Sequence, residues 1–256
     1  MLHIRVRATL LAVLLASALW LGAPSNTSVV LYDALLRTPP QAQGWSYLFS
    51  HGLPSQQMDE RTVTLDTRST VALKAGYFAS QQGFVGSTAP VPTLDRTVGF
   101  TVTFTLQLLA ETHSASNNRA GFSLIVLSSD AHGIELGFWA DRIWAQEGGT
   151  TRLFTQAEAV AYNTTAALAR YDLSIKGDRY ELRGGGKRLL SGPVRSYAAF
   201  IGQPDPYETP NFLFVGDDTS SAAAQFRLGQ VSVMPISGSP GLPHGQYLRF
   251  VPIVRR

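Results

Sequence analysis

The chain has 256 residues, of which 45% are hydrophobic and 15% are charged, and it contains no cysteine. This length allows one large domain or two small ones, and it buries enough surface to support a core without cross-links. The absence of cysteine excludes disulfides, thiolate metal sites and cysteine nucleophiles. We therefore expect a globular fold that is stabilised by hydrophobic burial.

The first 25 residues have the layout of a secretory signal peptide. A basic start with Arg5 and Arg7 is followed by an apolar run, 10–21, and then by small residues. The run is shorter than the about 18–20 apolar residues of a spanning helix, although an uncleaved anchor remains the alternative. We expect cleavage at Ala23 or Ser25, no stable transmembrane segment afterwards, and a secreted or cell-surface protein.

The charge distribution does not predict a nucleic-acid partner. Without the two arginines of residues 1–25, the 21 basic side chains fall to 19, against 18 acidic ones. A nucleic-acid surface needs Lys and Arg clustered on one face. Here the adjacent basic pairs are Lys187–Arg188 and Arg255–Arg256. We therefore expect no nucleic-acid binding.

The body of the chain, 26–235, has the pattern of one β-sandwich domain. Apolar residues alternate with threonines over 100–108, which is typical of a half-buried strand. Further short strands, separated by turn residues, are predicted at 119–128, 133–140, 143–147, 171–175, 180–183, 187–190 and 225–234. The alanine-rich stretch 155–169 lacks a helical apolar stripe, so we predict a strand end and a loop. In the last strand the apolar parity changes at Gly229, which predicts a β-bulge there.

The C-terminal end differs from the body in composition. Residues 236–245 are rich in Gly, Pro and Ser, which is typical of a linker. Residues 246–256 are apolar and then basic, and too short for a membrane span. This tail resembles the short apolar-Pro-apolar tails of some exported bacterial proteins, and an extra edge strand packed on the domain is the alternative.

Several segments together resemble a known superfamily. They are QGW (43–45), RAGFSLIVLSSD (119–130), GIELGFWADRIWAQE (133–147) and FLFVGDDTSSAAAQFRLGQVSV (212–233). The chain resembles concanavalin A-like and laminin G-like jelly rolls, and more closely the bacterial choice-of-anchor Y domain proteins. The resemblance implies an all-β, two-sheet antiparallel β-sandwich of the jelly-roll type and an exported bacterial protein. It implies no particular chemistry.

The hairpin at 133–147 holds the first candidate site. If Asp141–Arg142 is a two-residue turn, Trp139 pairs with Trp144 and shares its face with Glu135, Gly137 and Gln146. Two exposed indoles beside a carboxylate and an amide suit a sugar, because flat rings cover the apolar face of a pyranose. Glu135, Trp139, Trp144 and Gln146 are therefore predicted ligand-binding residues. The alternative is that both faces of the hairpin are covered and the tryptophans are core residues.

The second candidate is a calcium site. Asp217 and Asp218 lie at a predicted border between strand and loop, and Asp205 lies in the loop before them. Calcium prefers several carboxylates and backbone carbonyls. Aspartates are also ordinary turn formers, so the turn is the alternative. Arg119 is expected to form a structural ion pair with Glu111 or Glu135.

No catalytic motif of the common hydrolase, metalloprotease or nucleotide-binding types occurs in the sequence. The leading interpretation is an exported binding or adhesion module whose partner is a glycan or a cell-surface polymer. A structural surface or matrix component without a small ligand is the alternative. A glycoside hydrolase ranks third, because the paired acids that glucanases of this fold use are missing, and whether the chain is an enzyme stays open.

Overall fold

The computed structural model describes residues 27–114 and 118–236. Within these ranges fifteen strands and three short 3-10 helices form a two-layer antiparallel β-sandwich of the jelly-roll type, as predicted. The predicted signal peptide and the tail 246–256 lie outside the described residues, as does the linker apart from Ile236. No helix in the described part of the chain has the length and apolar character needed to cross a membrane.

The first sheet has eight strands within the described ranges. Seven follow one another in the order β13 (Lys187–Pro193), β12 (Arg179–Gly184), β11 (Ala169–Lys176), β6 (Phe100–His113), β15 (Ala222–Pro235), β4 (Val63–Asp66) and β3 (Ser55–Met58). The eighth, β1 (Val29–Asp33), pairs with β15. The sheet thus joins the first and the last strand of the described chain, which closes the domain.

The second sheet has seven strands in the same described ranges. Their order is β10 (Gln156–Ala161), β9 (Arg142–Gln146), β8 (Gly133–Phe138), β7 (Ser123–Leu127), β14 (Phe212–Asp217), β5 (Lys74–Ser80) and β2 (Ser46–Ser50). The 3-10 helices, Ala34–Leu36, Pro40–Gln43 and Phe84–Gly86, lie in the connections. The alanine-rich stretch 155–169 is strand β10 followed by a loop, which confirms the prediction.

The core lies between the two sheets and follows the period-two pattern. In β6 the apolar residues Phe100, Val102, Phe104, Leu106 and Leu108 are fully buried, and the intervening threonines face outward. The second sheet contributes the alternate residues of β7 and β8. The rings of Phe104 and Phe138 meet edge to face across the layers, with centroids 6.2 Å apart. The alternation therefore selects the core face directly.

A β-bulge interrupts the pairing of β15 with β6 at the predicted position. The register shifts between Leu228 and Val231, which places Gly229 at the irregularity. A Cβ on Gly229 would lie 2.4 Å from the Oγ1 of Thr105, and that oxygen accepts a hydrogen bond from the Gln230 amide at 2.7 Å. The bulge reverses the parity of the apolar residues, so that Phe226 and Val231 both reach the core.

Candidate functional site

The β8–β9 hairpin places the predicted residues on one face, although its register differs from the prediction. Gly137, and not Trp139, lies opposite Trp144. The Trp139 amide donates to the Arg142 carbonyl at 2.9 Å, so the two turn residues are Ala140 and Asp141. The pairing differs by an even number of residues, so each side chain keeps its predicted face.

The side chain of Trp144 explains this register. Its indole lies over Gly137, where a Cβ would come within 2.5 Å of the ring atom Cζ2. A residue with a side chain opposite Trp144 would occupy the same space. Trp139 packs edge to face on Trp144 at 4.7 Å and stacks on the His113 ring at 3.7 Å.

The predicted ligand-binding residues lie in the interior. Glu135, Trp144 and Gln146 are 0% exposed and Trp139 is 7% exposed. Of the two alternatives for the tryptophans, burial in the core is the one found. The physical reason is that the chain around residues 118–120 and 195–207 covers the outer face of this hairpin. The structure therefore provides no exposed indole platform at β8 and β9.

Two tyrosines and a backbone segment form this cover. The Tyr197 hydroxyl accepts from the Glu135 amide at 3.0 Å and donates to the Gln146 carbonyl at 2.9 Å. The Tyr207 hydroxyl donates to the Glu135 carboxylate at 2.6 Å. The Gln146 side chain donates to the Asn118 carbonyl at 2.9 Å, so both candidate polar residues are engaged inside the protein.

Arg119 lies at the centre of the buried polar groups. Its Nη1 is 3.1 Å from the Glu135 carboxylate, which confirms the predicted structural ion pair, and its Nη2 bonds Asp218. The guanidinium also lies 4.2 Å above the ring centre of Phe154. Burial raises the pKa of Glu135, and Asp218 raises it further, whereas Arg119 lowers it. One cation thus compensates two neighbouring carboxyl groups.

Asp217 makes different contacts from its neighbour Asp218. It is almost fully buried, and its Oδ2 lies 2.6 Å from the hydroxyl of Thr67. Burial raises the pKa of Asp217 to about 9, since it outweighs the hydrogen bonds from Thr67 and from the Thr219 amide. This carboxyl therefore holds its proton at neutral pH.

The three aspartates do not fit the predicted calcium site. Among the described residues no group of three or more histidines and acids is placed to hold a metal ion. Asp217 is neutral and hydrogen-bonded to Thr67, Asp218 pairs with Arg119, and Asp205 accepts from the Tyr207 amide at 2.9 Å. Each carboxyl has a local partner of its own, so the turn interpretation explains them. We derive no calcium chemistry from them.

The raised pKa of Asp217 predicts a pH-dependent stability. The folded chain binds this proton more tightly than the unfolded chain, so the stabilisation is complete at acid pH and is lost as pH rises toward about 9. We expect the melting temperature to fall between pH 5 and pH 9, and Asp217→Asn to flatten this dependence. Calorimetry at several pH values measures both. The control is Asp141→Asn in the exposed turn, which should leave the slope unchanged, and an equally steep slope in Asp217→Asn would contradict the assignment.

A cleft of about 390 Å³ lies on the same outer face, beside the covered hairpin. Phe78, Ile125 and Phe214 come from adjacent strands, and the Phe214 ring lies over Gly76, where a Cβ would clash with it. The strand β2 and the turn after it contribute Leu48, Phe49, Ser50 and His51, and the covering segments contribute Phe154, Phe200, Gln203, Pro204, Pro206 and Tyr207. The remaining lining residues are Ala75 and four residues with ionisable side chains, Lys74, Arg119, Asp217 and Asp218. The cleft is thus mostly aromatic and apolar, with charged groups at one end.

Sequence reasoning missed most of this cleft. The residues come from strands far apart in the chain, β2, β5, β7 and β14, and from an aperiodic segment near residue 200. Phe212 and Phe214 alternate with Leu213 and Val215, so the sequence does signal that both faces of β14 are apolar. A strand that is apolar on both faces is covered on both, or it lines a pocket.

Comparison with solved structures shows the same fold in proteins with little sequence identity. The carbohydrate esterase vb_24B_21 from Shiga toxin-encoding bacteriophage phi24B matches with a TM-score of 0.52 and 12% identity, over 82% of this chain and 98% of that chain. The cellulose-induced protein Cip1 matches with a TM-score of 0.50 and 10% identity, over 82% and 97%. At these identities the likeness shows the fold alone.

No protein-family model and no curated protein matches the chain. The choice-of-anchor Y resemblance therefore stays a prediction. The exoplasmic/lumenal domain of VIP36 in its Ca²⁺/Man-bound form matches with a TM-score of 0.49 and 8% identity, over 86% of this chain and 93% of that chain, which supports no argument about this chain. What the comparisons support is the jelly-roll sandwich.

Proposed function

We propose that this chain is a carbohydrate-binding module and that the cleft on the outer face of the seven-stranded sheet is its binding site. The observation that carries the proposal is the combination of aromatic rings with polar groups at one end of a single cleft. Its volume of about 390 Å³ is in the range of small-ligand sites, which are mostly apolar with a few placed polar groups.

The chemistry of the lining suits a sugar ring. Aromatic faces cover the C–H face of a pyranose, and Phe49, Phe78 and Phe200, which are exposed or half-buried, provide such rings. Ser50, Gln203 and the Arg119–Asp218 pair provide donors and acceptors for hydroxyl groups. A protein of this fold that is named a carbohydrate esterase also supports carbohydrate as the ligand class.

The proposal includes the location of the protein, which we infer to be outside the cell or at the cell surface. The apolar run and small residues of 1–25 favour export, so we infer that the module binds its glycan outside the cell or at the cell surface. Fractionation of expressing cells tests this point, because the expected product appears outside the cytoplasm without its first 25 residues. Retention in the cytoplasm at full length would contradict it.

A glycan array of the purified full chain, run with calcium and again with a chelator, tests the ligand class. We expect binding to a restricted set of glycans. Because Asp205, Asp217 and Asp218 each have a partner within the protein, we expect the chelator to leave this binding unchanged. No binding by a folded sample would contradict the proposal and favour a structural surface component.

Phe49 gives the sharpest test of the cleft itself. Its side chain is 47% exposed, so Phe49→Ala should change the free energy of unfolding by less than about 0.5 kcal/mol. Loss of one stacking ring should weaken glycan binding about tenfold, measured by titration calorimetry. Leu53→Ala is the matched control, because Leu53 is 79% exposed and lies outside the cleft lining. Equal affinities of both variants would place the site elsewhere.

A further inference from the structure

The polar end of the cleft contains a cation without an ionic partner. Lys74 is the first residue of β5 and lines the cleft. Among the residues that the structure describes, its ammonium group forms no ion pair. It pairs with Ser50 of β2, which also lines the cleft.

The other charged groups at this end are already compensated. Arg119 lies between Glu135 and Asp218 and forms an ion pair with each. Asp217 holds its proton at neutral pH, because burial raises its pKa to about 9. Arg119 and Lys74 together balance Glu135 and Asp218, and Lys74 is the cation of this end that pairs with neither carboxylate among the described residues.

The apolar surroundings strengthen any ion pair formed there. The neighbouring strands contribute Phe78, Ile125 and Phe214 to the same cleft, so a ligand that fills it excludes water from the charged end. Charges interact more strongly in such a low-dielectric setting than on an open surface. A ligand with an apolar ring face and a negative group at one edge would match both parts of the cleft.

We propose that the cleft selects sugars that carry a carboxylate, such as uronic acids, and that Lys74 binds this carboxylate. The inference rests on the proposed carbohydrate-binding function and names the class of sugar within it. The sugar ring lies over the aromatic side chains, and its carboxylate points to the Lys74 end. A neutral sugar of the same size makes the ring contacts but leaves the ammonium group unpaired.

The test compares acidic oligosaccharides with their methyl esters. A panel of galacturonate, glucuronate and mannuronate oligomers and the methyl esters of the same oligomers is titrated against the full chain at low salt. Esterification removes the charge and keeps the ring. We expect at least one acid form to bind about tenfold more tightly than its ester, and Lys74→Met to remove this difference between acid and ester.

Lys187→Met is the matched control, because Lys187 is exposed on the β12–β13 hairpin, outside the cleft. It should retain the preference for the acid form. Equal binding of acids and esters, an unaltered preference in Lys74→Met, or equally tight binding of sulfated neutral oligomers would overturn the carboxylate assignment. Binding of neutral glycans alone would leave the proposed function intact and reject this inference, whereas binding of no glycan by folded protein would reject both.

Discussion

Replacement of Arg119 by methionine should lower the free energy of unfolding by about 3–5 kcal/mol, because it leaves the fully buried carboxyl of Glu135 without its cation. The variant keeps most of the side-chain volume, so the loss reports mainly on charge. The guanidinium contact with Phe154 at 4.2 Å is lost as well and adds to the effect. Denaturant unfolding monitored by circular dichroism measures the change.

A second variant separates the charge from the packing. Adding Glu135→Gln to Arg119→Met removes the buried charge that would remain, and we expect it to recover part of the lost stability. The amide can still accept the hydrogen bond from Tyr207. Arg188→Met on the exposed surface is the control and should have little effect. If Arg119→Met were as stable as the wild type, the buried ion pairs would not hold the cover on the sheet.

Replacement of Trp144 by alanine should cost about 3–5 kcal/mol, because it removes the largest fully buried side chain and leaves a cavity over Gly137. Trp144→Phe should cost less, since a smaller ring still fills part of the space. In both variants the fraction that remains folded should bind glycan with wild-type affinity, since Trp144 does not line the cleft.

Thermal unfolding together with binding to the array hit checks this prediction. The control is Ile201→Ala, because Ile201 is 97% exposed and its truncation should change stability by less than about 0.5 kcal/mol. A Trp144→Ala protein that is as stable as the wild type but has lost its ligand would restore the tryptophan face as the binding site.

The period-two pattern made the fold predictable from the sequence. The alternation in β6 assigns its apolar residues to the core, and the parity change at Gly229 marks the bulge. These features are local, since adjacent residues of a strand point to opposite faces whatever the distant context. The predicted faces of the β8–β9 hairpin were correct for the same reason, even though the turn is shifted by one residue.

The strand pattern could not predict whether the outer face of the β8–β9 hairpin is exposed or covered. Alternation shows that Glu135 and Trp144 share a face, but not whether another segment covers it. Tyr197 and Tyr207 provide that cover from more than 50 residues away, in a segment without strand periodicity. Tertiary contacts of this kind decide whether a polar face is a binding surface or a second, buried layer.

The cleft could not be predicted from the sequence, because its lining residues are brought together by the order of the strands in the sheet. Phe78 and Phe214 are distant in sequence, yet β5 and β14 are neighbours and place their rings 4.8 Å apart. Jelly-roll connections bring such strands together only once the whole sandwich has formed. The predicted site was therefore the β8–β9 hairpin, which has the recognisable residue types and lies beside the cleft on the same face of the sheet.

The most direct test of the central claim is chemical-shift mapping by NMR of the full chain with the tightest glycan from the array. We predict that the largest perturbations occur at the cleft lining, with Phe49, Lys74 and Phe214 among them. The outer face of the eight-stranded sheet, represented by Thr103, should stay unperturbed. Perturbations confined to that face, or to the surface around His113 and Arg142, would contradict the assignment of the cleft as the binding site.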